Sequence, residues 1–389
     1  MTSDRRPRPT VLVPPASLGV IGGGQLGRMF LQAAQRLGYR AGVLSAIADA
    51  PAAQVAHWSV VGPPDQLPAL RAFAAQADGV TVEFENVSAP ALRWLARNRV
   101  VRPGWRTVWV SQNRLREKTF LTRQRIPHAP WRSIRLESDL EAAVAALGLP
   151  LILKTAASGY DGKGQVRVER AEEATAAWSS LGQVPCVAEG WVDFEAEVSV
   201  IVARGADGQA VTYPVGLNRH VRHILDSTQM PAHVGPIVAQ EARLLALAVA
   251  EALGTVGVLT VEFFLTAEGR LLVNELAPRP HNSGHLTIEA AVTSQFEQQV
   301  RALCGLPLGL PRLVTPAAMV NLLGDLWSRG EPDWSAALGA DPGVKLHLYG
   351  KRTPAPGRKM GHLTVLDPDP ENALARAQAA RHALTRHRA

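Results

Sequence analysis

Apolar and polar positions follow two different patterns along the chain. Leu18–Ile21 is a short apolar run that predicts a strand, after which Gly22-Gly23-Gly24 turns the chain. Leu26, Met29, Phe30, Ala33 and Leu37 then recur at helical spacing, so Gln25–Leu37 is predicted as a helix with Gly38 in the stop position. Ala41–Leu44 is the next strand, and two more are predicted near His57–Val61 and Val80–Phe84. Alternation of this kind implies a parallel sheet covered by helices. A helix over Arg106–Gln124 follows and is ended by Ile126-Pro127.

From about residue 130 strand-like runs dominate. They lie at Leu151–Thr155, Gln165–Val168, Cys186–Glu189, Glu197–Ala203, Ala210–Val215, Leu259–Leu265 and Leu271–Glu275. Two helical stretches, Ala171–Leu181 and Val234–Leu253, accompany them, which reads as an α+β layout and a second domain. Pro307–Pro316 reads as a linker. Beyond it come short strands at Ala318–Leu323, Val344–Tyr349 and His362–Leu366, then an Ala- and Arg-rich helix. The expected division is a frayed start over 1–17, an α/β Rossmann-like domain over 18–117, a central domain over 118–308 and a small β-rich domain with a terminal helix over 309–389.

Composition narrows the class. With 47% hydrophobic residues the chain has ordinary cores rather than disorder. The two cysteines, Cys186 and Cys304, each sit in an apolar stretch, which excludes a disulfide framework and fits a reducing cytoplasm. A net charge of +7 invites a nucleic-acid reading, but the arginines are scattered and no aromatic-interleaved basic cluster occurs. The basic, Pro-rich start has no apolar run of a signal peptide, and no stretch approaches the ~20 apolar residues of a membrane span. The expectation is a soluble cytoplasmic protein that binds neither nucleic acid nor membrane.

Five segments carry candidate chemistry. Gly22-Gly23-Gly24-Gln25-Leu26-Gly27 matches a dinucleotide fingerprint, yet the second strand ends Val43-Leu44-Ser45 without the acid that would hold a ribose. A tight turn and an anion site at the helix N-terminus both remain open. Gly159–Gly164, between Lys154 and Gln165, reads as a flexible hairpin able to fold over a polyphosphate, with Lys154 and Lys163 as counter-charges. Around Glu268-Gly269, a two-residue hairpin turn would pair Ala267 with Arg270 and set Glu262 directly opposite Glu275, with Cβ atoms about 5 Å apart. Two facing carboxylates with Asn274 alongside suit Mg²⁺ carrying nucleotide phosphates; an ion pair of one glutamate with Arg279 is the plainer alternative. Arg279 could clamp a phosphoryl group, and His281 with His285 lacks the further ligands of a zinc site. Pro356–His362 is a second basic turn suited to a substrate phosphate.

Together, GGGQLGRM (from Gly22), EFENV (from Glu83), GYDGKGQ (from Gly159), Glu197-Val198-Ser199, NELAPRPHNSGH (from Asn274), SQFE (from Ser294) and PGRKMGH (from Pro356) resemble the N5-carboxyaminoimidazole ribonucleotide synthetases. These are ATP-grasp ligases of purine biosynthesis, and the resemblance runs from Leu18 to about Leu366. It implies an ATP-grasp architecture that carboxylates the exocyclic amine of aminoimidazole ribotide with ATP and bicarbonate. It implies ATP contacts at Arg114, Lys154, Gly159, Tyr160, Asp161, Gly162, Lys163, Gly164, Gln165, Glu189, Val192, Glu197, His220, Asn274 and Glu275. Mg²⁺, with Mn²⁺ as the alternative, would be held by Glu262 and Glu275. The ribotide would meet Gln25, Leu26, Tyr160, Arg279, Arg358 and Lys359, with Asp161, Lys163, Arg279 and Lys359 in catalytic roles. A homodimer is the family expectation. This chain departs from its relatives at Ala156-Ala157-Ser158, where they carry Arg or Gly, and at His223, where they tend to carry Gly. Alternatives are another ATP-grasp ligase such as a formate-dependent glycinamide ribotide transformylase, a nucleotide-binding regulator, and an oxidoreductase built on the first Gly motif.

Overall fold

The computed structural model describes residues 10–157, 159 and 162–385. The first layer is β1 (Ser17–Ile21), α1 (Gln25–Arg36), β2 (Arg40–Ser45), β3 (Trp58–Val61), α2 (Leu67–Ala74), β4 (Gly79–Val82), α3 (Ala89–Leu95) and β5 (Val100–Val101). Its strands form a five-stranded sheet in the order β3-β2-β1-β4-β5, every pair parallel. This is the doubly wound order expected from the β-α-β pattern.

The helix expected over Arg106–Gln124 is two helices, α4 (Trp105–Ser111) and α5 (Arg114–Arg123). Asn113 breaks it: extended at φ −145°, it accepts a hydrogen bond from the Arg116 N–H and caps a fresh start. Then come β6 (Trp131–Ile134), α6 (Ser138–Leu147), β7 (Leu151–Thr155), β8 (Gln165–Val168), α7 (Ala174–Ser180) and β9 (Cys186–Gly190). Their strands make a four-stranded antiparallel sheet, β6-β9-β7-β8. β6 and α6 were not expected from the sequence.

The third unit is large. It contains β10 (Ala196–Arg204), β11 (Ala210–Thr212), β12 (Gly216–Val221), β13 (Ile224–Met230), α8 (Pro236–Ala252), β14 (Gly257–Leu265), β15 (Leu271–Ala277), α9 (Thr287–Ala290) and α10 (Gln295–Cys304). It continues through β16 (Ala317–Leu323), α11 (Trp334–Ala340), β17 (Lys345–Leu348), β18 (Lys359–Leu366) and α12 (Pro370–Ala383). One nine-stranded sheet runs β15-β14-β10-β12-β13-β16-β18-β17, with β11 beside β10. The strands after the Pro-rich segment therefore lengthen the sheet that carries the paired glutamates. They also have their own core, where Val320, Leu322, Leu363 and Val365 pack on Ala373, Ala377 and Ala380 of α12.

Neither β12 nor β13 was expected, nor α10, although Ser294 caps α10 by accepting from Glu297 N–H, as the quoted Ser-Gln-Phe-Glu motif allows. α10 crosses back to the first layer. Val300, Leu303 and Cys304 pack against Leu18, Val20 and Leu31, joining the parallel sheet to the rest.

Candidate active site

Three walls meet at one cavity of about 770 Å³. The small sheet supplies Lys154, Gln165 and Glu189, and the segment after β9 supplies Val192. The large sheet supplies Glu197, His220, Glu262, Asn274, Glu275 and Lys359. The first layer supplies Gln25 and Leu26, and Arg114, Gly162 and Arg279 line the cavity between these walls.

Other expected residues fall elsewhere. Gly159, Lys163 and Gly164 belong to the hairpin but are not among the lining residues, and Arg358 is an exposed side chain that donates to the Thr353 carbonyl at 2.6 Å. Tyr160 and Asp161 lie outside the described residues.

The first Gly motif is closed by the protein itself. The Glu83 carboxylate accepts from the Gly24 N–H, so the anion at the start of α1 comes from the end of β4. Burial pushes the Glu83 carboxyl above its usual range, despite that bond and the positive charges of Lys351 and Arg279. This removes the structural basis for a dinucleotide at the motif.

The second Gly motif reaches the cavity through Gly162. Lys154 and Gln165 pair across β7 and β8, which confirms the hairpin. Lys154 Nζ meets Glu189 at 3.0 Å. Burial alone would push the Glu189 carboxyl up, but Lys118 and Lys154 outweigh it and hold it at about 2. Arg114 braces the base of the hairpin by donating to the carbonyls of Thr155 at 2.9 Å and Gly159 at 3.3 Å. A Cβ on Gly159 would lie 2.6 Å from that guanidinium, so the glycine makes room for it.

His223 occupies a strained position. It ends a two-residue turn between β12 and β13 in which Arg222 and His223 have φ of +51° and +65°. A turn with two left-handed residues favours Gly or Asn. Here the His223 side chain packs over Gly162, where an added Cβ would lie 2.5 Å from its own, and both turn residues line the cavity.

Glu262 and Glu275 are paired across β14 and β15, as expected. The local route differs. Thr266 N–H donates to Arg270 O and Gly269 has φ +77°, so the hairpin loop is longer than two residues and its register differs by one. A bulge beside Glu262 takes up the difference and leaves both Asn274 and Glu275 lining the cavity.

Glu262 does not pair with Arg279. Its partner is His281 Nε2 at 2.9 Å, while Arg279 grips Glu85 through Nε at 2.7 Å and Nη2 at 3.3 Å. Burial opposes the ionised form of Glu262, but His281 outweighs it and keeps the carboxyl below its usual range. Glu275 is pushed up, first by burial and then by the negative charges of Glu262 and Glu85, against the pull of Arg114 and Arg279. Negative charge is thus in excess at this pair, and a bound cation would relieve it.

No group of three or more His, Cys, Asp or Glu able to hold a metal occurs among the described residues. Two carboxylates suit Mg²⁺, which is commonly held by one or two carboxylates plus phosphates and water, and do not suit a protein-only zinc cage. Sequence reasoning missed Glu83, Glu85 and Asn282. The first two stand in the quoted Glu-Phe-Glu-Asn-Val motif, which was the available signal. Asn282 lines the cavity with both amide atoms buried and unpartnered.

Comparison with known proteins gives the same answer. Models of an ATP-grasp domain, a ribonucleotide synthetase preATP-grasp domain and a phosphoribosylaminoimidazole carboxylase C-terminal domain match residues 119–296, 16–112 and 317–376. The fold and site define an ATP-grasp ligase that takes ATP. The N5-carboxyaminoimidazole ribonucleotide synthase of Bacillus subtilis is 42% identical over 356 residues, covering 92% of this chain and 93% of that protein. A solved ADP complex of N5-carboxyaminoimidazole ribonucleotide synthetase superposes with a TM-score of 0.90 at 40% identity, over 96% and 98% of the two chains. The Aspergillus clavatus synthase, solved with ADP and 5-aminoimidazole ribonucleotide, gives a TM-score of 0.86 at 32% identity over 95% and 98%. The chain belongs to the N5-carboxyaminoimidazole ribonucleotide synthase family.

Proposed function

We propose that this ligase uses ATP and bicarbonate to carboxylate the exocyclic amine of 5-aminoimidazole ribonucleotide, giving N5-carboxyaminoimidazole ribonucleotide. The observation that carries the reading is the convergence of Lys154, the Glu262–Glu275 pair, Arg279 and Lys359 on one cavity. Phosphoryl transfer needs charge stabilisation and alignment more than covalent help, and this set supplies both.

In the reaction a bicarbonate oxygen attacks the γ-phosphorus, ADP leaves, and carboxyphosphate forms. The ribotide amine then attacks the carboxyl carbon, directly or as the CO₂ released, and inorganic phosphate departs. Lys154 balances charge on the nucleotide phosphates. Arg279, pre-oriented by its two bonds to Glu85, presents its guanidinium to the acyl phosphate. Lys359 enters from β18, which brings the C-terminal strands to the ribotide side. Glu262 and Glu275 fit Mg²⁺, which would supply Lewis-acid charge at the β- and γ-phosphate oxygens. Asp161 is assigned the role of orienting or deprotonating the ribotide amine, with Tyr160 as a ribotide contact and Lys163 as a counter-charge to the phosphates. A homodimer, tested by light scattering, belongs to the same proposal.

The test is ADP release with Mg-ATP and bicarbonate, with and without aminoimidazole ribotide. The expected result is strong stimulation by the ribotide, abolished in Glu275→Gln. Stimulation by a different amine or acid instead would overturn the assigned acceptor.

A further inference from the structure

β15 is an edge strand, and its bulge sits at Asn274 and Glu275, the two residues that face the cavity. Such an edge is a weak support for a functional carboxylate. Ladder bonds are disrupted at a bulge, and the outer side carries a single parallel bridge, His128 to Val273 with Val273 N–H donating to Pro127 O, in place of a further strand.

α5 covers it instead, with two charged side chains almost wholly removed from solvent: Glu117 at 2% exposure and Lys118 at 1%. The Glu117 carboxylate accepts from the Leu276 N–H at 3.1 Å. Lys118 Nζ donates to the Asn274 carbonyl at 3.4 Å. The backbone is therefore held immediately before and immediately after Glu275.

Lys118 makes a second connection, to Glu189 of β9 at 3.4 Å. Apolar neighbours on the same helix repeat that bridging. Leu115 packs with Ala156 and Val187 of the small sheet, and Leu121 packs in the core of the large one. Glu117 and Lys118 are adjacent, both buried and both turned to β15, and burial pushes the Glu117 carboxyl up to about 8, which is a costly way to pack a helix. Two apolar residues would fill the space at lower cost, but they would bond neither Asn274 O nor Leu276 N.

We propose that Glu117 and Lys118 are positioning residues that clamp the bulged edge of β15, holding Glu275 in register with Glu262 and at a fixed distance from the nucleotide strands β7 and β9. The proposal rests on the reading that Glu262 and Glu275 hold the divalent cation of Mg-ATP. Neither clamp residue touches the reacting atoms.

Glu117→Leu and Lys118→Met test it, because apolar replacements of similar volume for buried ions are often neutral or stabilising. In Lys118→Met, Glu189 keeps Lys154 as its partner. Glu117→Gln retains an oxygen acceptor for Leu276 N–H and serves as the conservative control. Two quantities are measured on each full-length variant: the Mg²⁺ concentration for half-maximal ADP release, and calorimetric ADP binding with and without Mg²⁺.

The expected result for Glu117→Leu is a Mg²⁺ requirement raised by about tenfold or more, the scale of supporting residues at metal sites. Mg²⁺-dependent ADP binding falls in parallel, metal-free ADP binding and melting temperature hold, and Glu117→Gln stays near the wild type. A folded Glu117→Leu with an unchanged Mg²⁺ requirement overturns the clamp, and so does a Glu117→Gln as impaired as Glu117→Leu. If Glu117→Leu does not fold, an unchanged requirement in folded Lys118→Met is equally decisive. Glu275→Gln run alongside by calorimetry separates the two ideas: should its Mg²⁺-dependent ADP binding match the wild type, it is the metal reading that fails.

Discussion

The two glycine-rich turns of this chain, Gly22–Gly27 and Gly159–Gly164, have similar compositions and opposite fates. Both follow an apolar strand at the rim of the same cavity. In the first, Glu83 reaches across from β4 and takes the Gly24 N–H, so the donor is spent inside the protein. In the second, Lys154 and Gln165 frame the base of a hairpin and both line the cavity, and the nearby carboxylate, Glu189, is already balanced by two lysines. What would separate a structural turn from the proposed phosphate loop here is not the glycine spacing. It is whether an internal carboxylate or an internal ammonium stands opposite.

The comparison breaks most severely at Lys154. Lys154→Met removes the open loop's cation while leaving Glu189 paired to Lys118. A fall of about 10²–10³ in kcat/KM for ATP is expected, the scale of losing one donor to a transferring phosphoryl group. Steady-state ADP release at fixed ribotide measures it, and a change under threefold would show that the second turn is no more a phosphate site than the first.

Gly24→Ala probes the closed turn. The new Cβ would stand 2.0 Å from a Glu83 oxygen, and overpacking of this kind costs about 1–3 kcal/mol. Denaturant unfolding should register that loss while calorimetric ADP affinity stays within about twofold, as the proposed nucleotide site at the other turn requires. Weakened ADP binding without lost stability would reverse the assignment of the two.

The smallest expected effect is pH-dependent. Burial raises the Glu83 carboxyl, so the folded state holds its proton more tightly than the unfolded chain does. The resulting cost is absent below the ordinary carboxylate pKa of about 4.3 and grows until the pH passes the raised folded value. Glu83→Gln should therefore melt higher than the wild type at pH 8, with the gap closing as the pH falls toward 4. A gap independent of pH would mean that ionised Glu83 carries no such cost.

Much of this was legible in the sequence, though not always for the right reason. The β-α-β order of the first layer followed from its periodicity, and ten of the fifteen expected ATP contacts line one cavity. The facing glutamates were reached through two offsets that cancel, a turn one residue too short and an unseen bulge. β12 and β13 were missed because cavity-lining polar residues such as His220 interrupt their apolar alternation. The break between α4 and α5 was missed because helical spacing continues across it; Asn113 as a cap was the readable sign. Glu117 and Lys118 look like an exposed helix face in sequence. Only the packing of the edge strand on α5 shows that they are buried.

The sharing of one sheet by β14, β15 and β18 has a consequence for how such a protein can change over evolutionary time. Lys359 and the glutamate pair ride on one hydrogen-bonded sheet, so the C-terminal strands cannot be exchanged as a module without baring the edge of β13. New acceptor chemistry in this framework has to arrive one side chain at a time.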